Sequence, residues 1–202
     1  MSVQPDNVTN PPWILSALQQ AWLLQLAREA IHFYLKHGKT MRVETAVPAL
    51  MQPAGVFVTL RSLADGLTPK AARLRGCIGH VEADWPLAEV VASMAVKSAT
   101  RDPRFPPVTL AELDQIAIEI SILSPAEPVE SIHQIELGRH GLIISDGYHR
   151  GLLLPQVPLT FGWTREEFLE NLCRKAGMPR DAWHEAELSM FTTAVIEELA
   201  EG

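Results

Sequence analysis

Ile116, Ile118, Ile120 and Ile122 alternate with Ala117, Glu119, Ser121 and Leu123. A period of two puts the isoleucines on one face of an extended chain, so this segment reads as a half-buried β-strand, and a strand of this kind needs strand neighbours. Residues 55–60 (GVFVTL) supply one β-rich run and residues 73–81 a second. The polar connection between them carries Asp65, Gly66 and Pro69, which suits a hairpin or a neighbouring pair. Residues 141–145 and 148–154 flank Asp146-Gly147, a pair that tolerates the positive φ of a type I′ hairpin turn. A last strand is expected over 188–196.

Helical patterns interleave with these strands. Ser16 and Gln19 have the spacing of a capping box, and Leu23, Leu26, Ala27, Ala30, Ile31, Tyr34 and Leu35 recur every three or four residues up to Gly38. Asp84 is placed to cap a second helix with Pro86 in its first turn and Leu87, Val90, Val91, Met94, Ala95 and Ser98 on one face. Thr109 and Glu112 start a short helix, and Thr164 and Glu167 start another that Gly177 ends. Roughly six strands and four helices in this order predict an α+β fold, with mostly antiparallel sheet, flanking helices and two closely packed lobes. Residues 1–14, with Pro5, Asn7, Asn10, Pro11 and Pro12 among them, read as a flexible lead-in to a domain over 15–202.

With 202 residues, 47% of them hydrophobic and 20% charged, the chain has the composition of a globular protein with a packed core. A net charge of -7 argues against general nucleic-acid binding, which needs a surplus of cations. Arg61, Lys70, Arg73, Arg75, Lys97, Arg101 and Arg104 outnumber the acids of the same stretch, which reads either as a local basic patch or as a mixed solvated surface. No run approaches the ~20 apolar residues of a membrane span and no signal peptide is apparent, so the expected compartment is the cytoplasm. Cys77 and Cys173 are too few for a disulfide scaffold, and the histidines lack metal-ligand spacing, so neither a metal nor a cofactor is expected.

The segment Leu74-Arg75-Gly76-Cys77-Ile78-Gly79 places two glycines, a cation and a thiol in a strand-like run. Glycine inside a strand marks a bulge or a close approach by another backbone or a ligand. In a regular strand Leu74 and Ile78 face the core while Arg75 and Cys77 share the other face, where a guanidinium would favour the thiolate. A small buried thiol beside a structural arginine is the competing reading. His140, between Gly138-Arg139 and Gly141, is a candidate general base, with a surface or packing histidine as the competing reading. Arg101, Asp102 and Arg104 form a charged, proline-stiffened connection in which the acid orients a guanidinium toward an anionic ligand, or which simply pins the chain.

Six segments, in this order, resemble the AMMECR-type family, whose prokaryotic members are also called AmmeMemoRadiSam system protein A. They are 74–79 (LRGCIG), 99–107 (ATRDPRFPP), 119–125 (EISILSP), 138–142 (GRHGL), 152–157 (LLLPQV) and 173–177 (CRKAG). The resemblance runs from about Trp22 to near the C-terminus and implies a two-lobed α+β fold. It also implies association with a Memo-type protein and a radical-SAM protein, and a functional segment at Arg75, Gly76, Cys77, Ile78 and Gly79. Two readings follow. In one, the lobes form a cleft for an unknown small anionic ligand or a modified partner segment, with Cys77, Arg75 and His140 catalytic and Gly76, Gly79, Arg101, Asp102 and Arg104 binding. In the other, the glycine-rich strand and proline-rich loop form a non-catalytic docking module for those partners.

Overall fold

The computed structural model describes residues 15–63 and 72–198. The lead-in and the Asp65-Gly66-Pro69 connection lie outside the described residues. The chain divides into two units, the first built from the stretch up to Leu123 together with the stretch from Ala194, the second from Ser124–Thr193.

The first unit opens with α1 (Ala17–His37), capped as its sequence dictates: Ser16 and Gln19 form a reciprocal capping box and Gly38 ends the helix at φ 69°. A short helix α2 (Pro48–Met51) follows. The strands β1 (Gly55–Ser62), β2 (Arg73–His80) and β3 (Ile116–Leu123) come next, with α3 (Leu87–Thr100) between β2 and β3. A 3-10 turn, Leu110–Gln115, carries the Thr109/Glu112 capping box. The unit is completed by β8 (Thr193–Glu197), and its sheet runs β2-β1-β3-β8 with β1 antiparallel to both neighbours. Val56, Val58, Leu60 and the isoleucines of β3 meet Leu23, Ala27 and Ile31 of α1 and Leu87, Val91 and Met94 of α3 in one core.

The second unit holds β4 (Glu127–Pro128), β5 (Gly141–Ser145), β6 (Arg150–Leu153), α4 (Gln156–Phe161), α5 (Arg165–Ala176) and β7 (Glu187–Phe191). Its sheet has the order β4-β7-β5-β6, antiparallel throughout. Phe168, Leu169, Leu172 and Cys173 of α5 pack on Leu142 and Ile144 of β5. An α+β fold with two antiparallel sheets is thus present.

Four local expectations are corrected. The isoleucine strand is not half-buried: Ala117, Ser121 and Leu123 are covered as well, leaving only Glu119 partly open. Asp84 does not cap α3, because its carboxylate is bound 2.6 Å from His80 Nε2. The Asp146-Gly147 hairpin has a four-residue loop rather than a type I′ turn: Ser145 pairs with Arg150, Gly147 has φ 88°, and Asp146 Oδ1 accepts the N–H groups of Tyr148 and His149. The final strand is two strands in two different sheets, parted at Thr192, whose N–H donates to Ser124 Oγ while its carbonyl accepts from Ser124 N–H.

Candidate functional site

The two glycines of β2 are explained by backbone and aromatic approach. A Cβ on Gly76 would overlap the Ser98 carbonyl of α3, and one on Gly79 would overlap the Phe57 ring directly opposite on β1. Because α3 comes so close, the Ser98 hydroxyl enters the β1–β2 ladder. It accepts from Ile78 N–H at 2.9 Å and donates to the Val58 carbonyl at 2.8 Å, two groups that the register sets opposite one another.

The register also breaks. Leu60 pairs with Gly76 but Arg61 pairs with Leu74, so Arg75 is an extra residue, a β-bulge. The bulge overturns the expected parity: Leu74 falls opposite Arg61, off the core face, and is 36% exposed. Ile78 stays packed on the core. Arg75 turns to its own partners, with Nε 3.0 Å from Glu112 Oε1 and Nη1 donating to the Pro106 carbonyl at 2.8 Å. Glu112 is held below the usual carboxylate range first by that bond and then by the Thr109 N–H.

Beside the bulge, residues 101–107 run along the outer edge of β2. Asp102, buried, accepts the Cys77 N–H at 2.8 Å on Oδ2 and receives Arg104 through Nε at 2.9 Å and Nη2 at 2.6 Å. Arg104 Nη2 also reaches the Cys77 carbonyl at 3.4 Å. In an antiparallel strand a residue's N–H and C=O point to the same side, so this acid and base occupy the positions where a further strand would bond and seal the edge. The Arg104 contact, ahead of the backbone donors, holds the Asp102 carboxyl far below its ordinary range. Arg104 itself is held above its usual value by the same pair.

Cys77 sits opposite Thr59, and Thr59 opposite Glu119, so three adjacent strands carry the three side chains in one row. The Thr59 hydroxyl donates to Cys77 Sγ at 3.4 Å, and Glu119 Oε2 lies 3.3 Å from Arg61 Nη2. Burial pushes the thiol up, more than the Thr59 bond and the Arg104 charge pull it down, while Asp102 and Glu119 add to the rise. The expected activation by Arg75 is therefore corrected: the cation acting on the sulfur is Arg104, and the thiol is the favoured form.

The structure thus brings Cys77, Gly76, Gly79, Asp102 and Arg104 together with Arg75 alongside, and puts Arg101 at the C-cap of α3. His140 belongs to the second unit, where it closes a turn: its N–H donates to the Glu136 carbonyl and its Nδ1 accepts the Glu136 N–H at 3.1 Å. Among the described residues no three His, Cys, Asp or Glu side chains converge as metal ligands. No helix among them is long and apolar enough to cross a membrane. Sequence reasoning missed the site roles of Thr59 and Ser98; the one available signal was a lone hydroxyl within an otherwise apolar helix stripe.

Comparison with known proteins matches residues 24–196 to the AMMECR1 family model. A protein of Thermococcus onnurineus is 45% identical over 185 residues, covering 88% of this chain and 89% of its own length. Protein MJ0810 of Methanocaldococcus jannaschii is 41% identical over 194 residues, with 92% and 93% covered. The crystal structure of protein PH0010 from Pyrococcus horikoshii superposes with a TM-score of 0.81 at 42% identity, over 91% of this chain and 93% of that one. On the match of its motifs, its sheets and nearly its whole length, this chain belongs to the AMMECR1 family.

Proposed function

We propose that the strand–loop assembly around Cys77 is a non-catalytic docking surface, and that the thiol is a packing group within it. The observation that carries this reading is the fate of the two guanidiniums. Arg75 is bound to Glu112 and to two proline-loop carbonyls, and Arg104 to Asp102 and to Cys77 itself, so neither stands free to activate a nucleophile. Burial keeps the sulfur protonated.

What the same bonds accomplish is rigidity. A loop fixed through Asp102 and Arg75 holds Arg101, Pro103, Pro106 and Pro107 outward, exposed, in one conformation. A surface ordered before contact loses little entropy on binding, and its exposed cation suits an acidic segment of a partner. The partners implied by the family resemblance, a Memo-type and a radical-SAM protein, are the ones to test.

Co-purification of each with the wild-type chain and three variants separates docking from thiol chemistry. Arg75→Ala, which frees the loop, and Arg101→Ala are expected to weaken capture, and Cys77→Ser to leave it intact. Capture lost with Cys77→Ser but retained in both arginine variants would refute this reading, because the contact would then depend on the thiol and not on the loop. The thiol reading is favoured by a different result, alkylation of Cys77 in the folded chain faster than that of an unperturbed thiol.

A further inference from the structure

Between α1 and α2, residues 40–46 pair with no strand among the described residues. Residues 41–46 alternate in burial one by one, Met41, Val43 and Thr45 inward and Arg42, Glu44 and Ala46 outward, which is the period of a β-strand. Met41 and Val43 pack on the hydrophobic core, so the segment is anchored. Among the described residues, the backbone N–H and C=O groups of residues 40–46 take no hydrogen bond. A cavity of about 450 Å³ opens along Thr40, Met41, Arg42 and Val43, with Trp85 and Ala92 across it. On the cavity side the backbone groups of this row are bonded to no other described residue.

An anchored strand with unused backbone groups is a template for another extended chain. Its charges say which one. Arg42 and Glu44 lie 3.2 Å apart on the outward face, 87% and 74% exposed. If a second copy of residues 40–46 runs antiparallel with Val43 opposite Val43, Arg42 of each copy stands directly across from Glu44 of the other. Met41 then faces Thr45, and Thr40 faces Ala46. The segment is its own electrostatic complement under a two-fold axis, the requirement for an isologous interface. Opposite charges directly across a strand pair are favourable, and like charges there are not.

We propose that residues 40–46 form the edge strand of a homodimer, paired antiparallel about Val43. This surface is separate from the Cys77 region, and its test is independent of that reading. Sedimentation equilibrium of the full chain is the measurement. Wild type self-associates; Arg42→Glu and Glu44→Arg, each placing two like-charge pairs across the axis, weaken association on the order of tenfold. An equimolar mixture of the two single variants recovers it, because each then presents the other's complement. Val43→Pro, which deletes an N–H that takes no partner among the described residues, also lowers association. A wild-type chain that remains monomeric overturns the proposal, and so does a dimer indifferent to the charge reversals or a mixture that fails to recover. A monomeric chain that takes up an unrelated extended peptide also overturns it, assigning the edge to a foreign strand.

Discussion

Asp102 shows how one buried carboxylate can organise a site. It satisfies the Cys77 N–H and neutralises Arg104, so Asp102→Asn leaves the guanidinium without its charge partner. The expected loss is about 2 kcal/mol at neutral pH, toward the low end for a hydrogen-bonded buried charge because Arg104 is 54% exposed and screened. The sign of the pH dependence follows from the depressed carboxyl. The stabilisation is complete above the ordinary aspartate range and fades as pH falls through and below it, so wild type and variant converge in acid, as denaturant melts across pH would record. Cys77 runs the other way: a raised thiol ionises later, and its alkylation in the folded chain should begin at a higher pH, and proceed more slowly at neutral pH, than in unfolded chain.

Among the secondary-structure elements, β2 is defined by what its glycines admit. Gly76→Ala forces a methyl against a helix backbone carbonyl that cannot rotate away, and is expected to cost about 3 kcal/mol, read by chemical denaturation. Ser98→Ala removes the hydroxyl that serves Ile78 N–H and Val58 C=O together. It should cost about 2 kcal/mol and speed hydrogen exchange at Ile78, whereas a merely apolar contact would change little on losing an oxygen. The second sheet repeats one device of the first: Phe191 lies over Gly141 across a strand pair as Phe57 lies over Gly79. In each case a large ring covers the backbone that a missing side chain leaves open.

Over the whole molecule, the first unit is discontinuous in sequence, and its sheet is completed only when the chain returns from Ser124–Thr193 to add β8. Glu198 fastens that return. Its carboxylate takes Arg28 of α1 through Nε and Nη2 and also accepts the Ile118 N–H, while Arg28 donates onward to the Leu113 and Ile116 carbonyls. Glu198→Ala is expected to destabilise the first unit by roughly 3 kcal/mol, because it strands a guanidinium among carbonyls. Hydrogen exchange in β8 should rise while exchange in β5 and α5 stays unchanged. Protection lost equally in both units would contradict this account.

What the sequence by itself determined were features encoded within a few residues. The Ser16 and Thr164 capping boxes, the Gly38 and Gly177 helix ends and the extended conformation of β3 are all local, because caps and side-chain periods depend on neighbours in the chain. The composition of the candidate site, Arg75 to Gly79 with Asp102 and Arg104, was legible for the same reason: an unusual clustering of glycine, charge and proline is visible before folding. The tertiary structure alone decided what those residues do. The bulge at Arg75 exists only in the pairing of β2 with β1, so the parity of Leu74 could not be counted off the strand. The split at Thr192 follows from two sheets competing for one apolar run. The state of the Cys77 thiol is set first by burial and then by Thr59, Arg104, Asp102 and Glu119, which come from three other segments, since burial and fields act through space rather than along the chain.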